Sequence, residues 1–346
     1  MKHTKSDLAQ MQSLPLAAKI RMTERRIREW YDHWCGDVYV SFSGGKDSTV
    51  LKHIIDSMGL DVPAVFVNTG LEYPEIQIFV RDIKAGKHDC FNSNVEIVRP
   101  EMRFDEVIKK YGYPFPSKEV SKSVYEAKRS AFIHGVDIRD TNSYKRKFDS
   151  ESEYSKRYPA FCLNRWDWLF DAPFNVSHKC CDVMKKHPAK LYEKETKRKP
   201  ITGTMAEESK LRYRNWLENG CNAFESKRPI SQPLSFWTEQ DVLHYIKKLN
   251  VPYSAAYGDI VIKPQSDDLQ DQINIIDYIG SYEPEDVLCT TGCYRTGCMF
   301  CMFGCHLEKE PNRFQRMKQT HPKQYEYCMN QLGLKEVLEY IGVKYE

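Results

Sequence analysis

The residues with the most chemistry in their spacing are the run Ser43-Gly44-Gly45-Lys46-Asp47-Ser48 and four cysteines, Cys180-Cys181 and Cys298-Met299-Phe300-Cys301. The first run can hold an anion. Two adjacent glycines let backbone N–H groups converge with no Cβ in the way, and a helix beginning there adds the positive end of its dipole. Lys46 contributes a point charge, Ser43 and Ser48 contribute hydroxyl donors, and Asp47 can cap the helix or orient a metal-bound water. The run is not a Walker loop, which needs G-x-x-x-x-G-K-[ST]. The cysteines belong to a chain of 346 residues with twelve of them. Its first residues lack the apolar core and cleavage site of a secretory leader, so the cytoplasm is the expected compartment, and reduced thiols there point to metal ligation or redox chemistry.

The elements around the loop follow from periodicity. Residues 38–42 form a short β-branched and aromatic run, and Val50, Leu51, Ile54, Ile55 and Met58 then recur at helical spacing. A second strand fits 64–68, a helix 74–84 and a third strand 95–98. Such alternation predicts a parallel sheet, with ligands at the carboxyl ends of the strands. Both 43–48 and Asn68-Thr69-Gly70 fall at such ends, so the two loops are expected to share one site. A helix after Cys181, a strand near 200–203 and a helix over 239–249 with Thr238 as N-cap continue the pattern. Residues 14–34 read as an amphipathic helix whose charges suit a solvated leader. The expected organisation is a helical segment at 1–35, a nucleotide-binding domain at 36–260 with an insertion near 112–178, and a Cys-rich, helical region at 261–346.

Composition narrows the partners. With 51 basic and 48 acidic residues the net charge is +3, so no global field demands a polyanion. Apolar stretches are far shorter than the roughly 20 residues a membrane span needs. Nothing in the sequence sets an oligomeric state.

The 43–48 loop resembles the PP-loop, Ser-Gly-Gly-x-Asp-Ser, of the adenine-nucleotide α-hydrolase-like superfamily. That resemblance implies a Rossmann-like parallel sheet flanked by helices, and ATP or a related adenine nucleotide as ligand, with Mg²⁺. It also implies catalytic roles for Lys46, Asp47 and Ser48, with Ser41, Phe42, Ser43, Gly44 and Gly45 lining the nucleotide. The likeness extends along the chain over about 36–305. Asn68 to Glu75 is similar to the Asp-Thr-Gly to Pro-Glu stretch of phosphoadenosine phosphosulfate reductases, which adds Asn68, Thr69 and Gly70 to the nucleotide set. Gly203 to Arg212 resembles their G-x-R-x-x-E-S-x-x-R at Gly203, Glu208, Ser209 and Arg212. Pro233 to Val242 and Val251-Pro252-Tyr253 are similar to the helix start and turn that follow.

Two departures bear on the reaction. Met205 stands where that pattern has its first arginine and cannot donate hydrogen bonds to a sulfate or phosphate. Residues 340–346 lack the Glu-Cys-Gly-x-His tail that carries the reductases' nucleophilic thiol, and Cys328 reads more readily as a buried helical thiol than as its substitute. The resemblance therefore implies adenylyl activation or sulfur transfer with ATP, with a true sulfonucleotide reductase as the alternative.

The tandem and spaced cysteines resemble the set that ligates a [4Fe–4S] cluster in iron–sulfur adenylyl-sulfate reductases, implying Cys180, Cys181, Cys298 and Cys301 as ligands. Lys179, Lys185, Lys186 and Arg295 can offset its charge. A zinc site competes, although adjacent cysteines are awkward around one small ion. Cys289, Cys293 and Cys305 crowd the same stretch and leave a local ligand set open. Lys145-Arg146-Lys147 and Arg157-Tyr158 suggest a nucleic-acid substrate. A redox or sulfur-donor protein partner is expected, and a non-catalytic nucleotide and redox sensor stays open.

Overall fold

The computed structural model describes residues 3–263 and 286–346, and the part of the expected C-terminal region at 264–285 lies outside them. Helices α1 (Lys5–Gln12) and α2 (Leu16–His33) precede β1 (Val38–Ser41), α3 (Lys46–Ser57), β2 (Ala64–Val67), α4 (Pro74–Lys84) and β3 (Val95–Val98). Five helices follow: α5 (Phe104–Tyr111), α6 (Lys118–His134), α7 (Asn142–Lys147), α8 (Glu153–Arg157) and α9 (Lys179–Cys181). A widened turn, Asp182–Lys186, leads into α10 (His187–Thr196). The chain continues as β4 (Lys199–Thr202), α11 (Lys210–Asn219), β5 (Asn222–Ala223), β6 (Ile230–Ser231), α12 (Glu239–Leu249), β7 (Ile260–Ile262) and β8 (Leu288–Thr290). Its last helices are α13 (Arg313–Thr320), α14 (Pro322–Glu326) and α15 (Leu334–Tyr340).

The chain divides into two compact units, one of Met1–Asn68, Glu72–Val98 and Ala189–Thr296, the other of Thr69–Leu71, Arg99–Pro188 and Gly297–Glu346. The expected boundaries at 35 and 260 are not where the units part. The N-terminal helices belong with the sheet, and the insertion shares a unit with the C-terminal tail.

In the first unit six strands form one sheet in the order β3-β2-β1-β4-β6-β5, parallel except for the antiparallel β5–β6 edge. The expected α/β class is thus the observed one. Val38, Tyr39 and Val40 are all buried because β1 is central and covered on both faces. Val40 lies beside Ala64 on β2 and Ile201 on β4. Strand order reverses between β1 and β4, which makes the carboxyl end of β1 the switch point where open α/β sheets bind ligands.

Helix α2 is not a solvated leader. It buries Ile27 and Trp30 in the core, its Thr23 hydroxyl accepts the indole N–H of Trp237 at 2.9 Å, and its buried Lys19 pairs with Asp241 at 2.6 Å. Asp241 also completes the capping box of α12 with the expected N-cap Thr238. The sequence pattern therefore reads the charges of α2 too literally, since one of its lysines is neutralised inside the unit.

The second unit is helical. Phe115 packs against Trp166 and Trp168 at ring separations of 5.8 and 6.3 Å, so the aromatic residues of the insertion build a small core of their own.

Candidate functional site

The loop after β1 has its shape fixed by close packing. Gly44 adopts φ +70°, and a Cβ there would stand 2.8 Å from Ile76 and 2.9 Å from Val80 on α4. Gly203, after β4, would place a Cβ 2.8 Å from the Asp47 carbonyl oxygen. Side chains at either position would push the first turn of α3 out of place.

Three loop amides already have acceptors. The Ser43 N–H donates to Ser48 Oγ at 3.2 Å, the Gly45 N–H to Ser43 Oγ at 3.3 Å, and the Lys46 N–H to the Tyr257 hydroxyl at 3.0 Å. The Tyr257 hydroxyl in turn lies 2.7 Å from Thr296 Oγ1. The sequence reading expects an open cradle, and the structure corrects it: the amides converge on oxygen, but the oxygens are hydroxyls of the chain. They are not turned away. Two serines of the loop and Tyr257 occupy the acceptor positions.

Lys46 is drawn into the same closure. Its ammonium is buried, 3.1 Å from Glu239 and 3.6 Å from Asp47, and faces the rings of Tyr257 and Tyr294 at 5.5 and 5.6 Å. Burial opposes its charge, yet Asp47, Tyr257 and Glu239 hold its pKa above the ordinary lysine value. Burial raises the Asp47 carboxyl against the pull of Lys46, and Asp47 Oδ1 is buried without a hydrogen bond. Glu207, which accepts the Glu239 N–H at 2.6 Å, is likewise raised by burial.

The other expected nucleotide residues are distributed unevenly. Ser41 ends β1, Phe42 is buried behind it, and Asn68 extends β2 by donating its N–H to Val98 at 2.8 Å. Ser209 caps α11, and Arg212 on that helix pairs with Glu208. The Arg212 guanidinium is shifted down by burial and by Arg295, and is favoured by Asp47. Arg295, expected near the cysteines, thus acts electrostatically on Asp47 and Arg212. Asn68 belongs to the first unit with the 43–48 loop, and Thr69 and Gly70 belong to the second. Met205 is buried in the core of the first unit.

Sequence reasoning missed Tyr257, Thr296, Tyr294 and Glu239 as partners of the loop. Glu239 alone had a usable signal, as the first residue after a recognised N-cap.

Asp47 gives a stability prediction. A carboxyl harder to ionise in the folded than in the unfolded chain costs stability once the unfolded group ionises, above 3.8. Asp47→Asn should therefore raise Tm at pH 7, with the gain shrinking as pH falls toward that value, as followed by circular dichroism.

In the second unit Cys180, Cys181, Cys298 and Cys301 line one recess with Leu71, Phe104, Pro114 and Met184. The Leu71 carbonyl accepts the Met299 N–H at 2.8 Å, which fixes the Cys298–Cys301 turn. Cys180 and Cys181 have their sulfurs 3.9 Å apart. The hydrogen bond from Cys180 lowers the Cys181 thiol to about 6, helped by Lys118, Lys185 and Lys186, while the same bond and burial push Cys180 up. Among the described residues no three His, Cys, Asp or Glu stand close enough together to hold a metal ion. Arg313, held by Glu308, donates to the Cys301 carbonyl at 2.7 Å. Cys305 is buried and its thiol is pushed up to about 12, mainly by burial. Cys289 and Cys293 fall in the first unit, and Cys328 is fully buried with its thiol well above the ordinary range.

No helix among the described residues is long and apolar enough to cross a membrane. The chain is similar to the uncharacterized protein MJ0066 of Methanocaldococcus jannaschii, 28% identical over 176 residues, covering 43% of this chain and 35% of that protein. It thus spans about a third of that relative's length (35%). Among solved structures it is similar to the phosphoadenylyl-sulfate (PAPS) reductase of Candida auris in a phosphate complex, with TM-score 0.38 and 17% identity, over 74% of this chain and 91% of that one. A family model described as the phosphoadenosine phosphosulfate reductase domain matches residues 37–133 and 143–302. The matched residues take in the glycine loop, Gly203 to Arg212 and all four cysteines of the recess, and the chain belongs to the phosphoadenosine phosphosulfate reductase domain family.

Proposed function

We propose that this chain is a PP-loop enzyme that binds ATP or a related adenine nucleotide on residues 43–48 and acts in adenylyl activation or sulfur transfer. The observation that carries the reading is that the Ser43, Gly45 and Lys46 amides, at the switch point of the sheet, each donate to a hydroxyl oxygen, two of them within the loop and one on Tyr257. Phosphoryl oxygens would replace the Tyr257 hydroxyl, and the Lys46 ammonium would then turn from Glu239 to the β- and γ-phosphates. An acceptor oxygen forms a bond to the α-phosphorus as the bond to pyrophosphate breaks, and the amides and Lys46 stabilise the charge that collects on the leaving group. Arg212 and Arg295 add positive charge beside Asp47.

The residues also fit two groups that family membership implies. Asp47, with an unbonded buried oxygen, offers one hard oxygen donor of the kind Mg²⁺ takes. Glu239 and Glu207 are engaged by Lys46 and by the Glu239 N–H, so phosphate oxygens would have to complete the ion's shell, and the ion would supply charge screening on the phosphates. Cys180, Cys181, Cys298 and Cys301, in a recess with apolar walls and with lysines favouring the Cys181 thiolate, suit a [4Fe–4S] cluster. Such a cluster supplies electron transfer or a place to hold sulfur. A redox or sulfur-donor protein and a nucleic-acid acceptor are the partners this chemistry would use.

The buried Met205 and Cys328 favour ATP chemistry over sulfonucleotide reduction, because neither can bind sulfate or present a nucleophilic thiol. Anaerobically purified protein should release pyrophosphate from ATP and release no sulfite from either sulfonucleotide with thioredoxin. Sulfite release without ATP turnover would make it a reductase. Neither activity, with any acceptor, would leave a nucleotide-sensing regulator.

A further inference from the structure

We propose that the second unit holds a separate binding site for a nucleoside monophosphate unit, free or within a single-stranded nucleic acid. The site is a cavity of about 600 Å³, within the range of small-molecule sites. Three helical segments wall it. Lys110 and Tyr111 stand at the end of α5; Tyr125 and Arg129 lie one turn apart on α6, sharing a face; Lys179 and His187 come from α9 and the start of α10.

The lining combines flat rings with cations. Tyr111 and Tyr125 meet edge to face at 6.4 Å, Lys110 lies 5.3 Å from the Tyr111 ring and Lys179 5.5 Å from that of Tyr125. Lys110, Arg129 and Lys179 make no ion pair among the described residues. Two carboxylates share the lining with the three cations: Glu101, and Asp182, which is bonded to Lys186 at 2.8 Å and is also stabilised by Lys179. A ligand that matches must bring a π-face for the tyrosines and negative charge for the cations, which is the chemistry of a nucleotide unit.

The basic run singled out in the sequence offers less. Lys145 pairs with Asp140 and Lys147 with Glu119, each at 3.5 Å, and Arg146 stacks 4.9 Å from Tyr154. Their charges are met within the unit. Lys110, Arg129 and Lys179 of the cavity have no carboxylate within ion-pair distance among the described residues, and Lys179 directly precedes the Cys180-Cys181 pair. Assigning the cavity to the acceptor of the reaction rests on the function proposed above; binding there does not.

The test uses the full chain with two probes, cytidine monophosphate by calorimetry and a fluorescein-labelled single-stranded oligonucleotide of about 12 residues by anisotropy. At least one probe should bind, and Arg129→Glu and Tyr125→Leu should each weaken it about tenfold or more, with the fold checked by circular dichroism. Loss of both probes together identifies a site for free nucleotides, and binding of the oligonucleotide alone identifies a nucleic-acid site. Lys46→Ala should leave probe affinity intact. Probe binding in a protein that never binds ATP would keep this site and remove the PP-loop reading. Absence of binding by either probe at millimolar concentration, or equal binding by both variants, overturns the site.

Discussion

Lys46→Ala is expected to slow pyrophosphate release from ATP by about 10²–10³-fold, the loss that follows removal of one preorganised donor to developing charge. The ammonium is held against Glu239 and Asp47 in the closed loop, on the residue whose own amide is one of the loop donors. On the proposed reading the defect should lie mainly in kcat, because the backbone amides that would grip the phosphates before reaction are untouched. Lys46→Arg should not restore the rate, since a planar fork does not fit where a compact ammonium sits between two rings. Unaltered steady-state kinetics in Lys46→Ala would remove the loop from the chemistry.

The second large effect concerns metal content. Anaerobically purified protein should be brown, with about four iron atoms per chain, and Cys181→Ser or Cys301→Ser should lose most of that iron and colour. Cys289→Ser and Cys328→Ser should keep it. Cys289 belongs to β8 in the first unit, and Cys328 is sealed among the apolar residues of the second. Iron retained in Cys181→Ser but lost in Cys289→Ser would move the ligand set, and a colourless protein with stoichiometric zinc would replace the cluster by a tetrahedral ion.

The sheet and its phosphate loop are legible in the sequence because their signals are local. Strand β1 is a short run with three apolar residues, α3 and α4 carry apolar residues at helical spacing, Gly44 sits under the side chains of Ile76 and Val80, and Gly203 sits against the backbone of Asp47. The partners that close the loop are not local: Tyr257 meets Lys46 across 211 residues, with no periodic pattern to announce it. Helix α6 was hidden for a different reason. It buries Val120, Val124, Ala127 and Ala131 at helical spacing, but two buried serines, Ser121 and Ser123, share that face and weaken the apolar signal. Strands β5 and β6 are two residues each, below what alternation can reveal. The division into units was equally hidden, because it joins the middle of the chain to its end.

The Tyr257 hydroxyl at the Lys46 amide makes ligand entry an exchange and not a filling. A newcomer gains only the margin by which its oxygen outbids a neutral phenol, so contact number says little about affinity. Polyanionic ends win that contest through charge, whereas adenosine, offering the same base without phosphates, has nothing with which to unseat the tyrosine. If the loop binds a nucleotide as proposed, its discrimination against nucleosides would be written into its resting state.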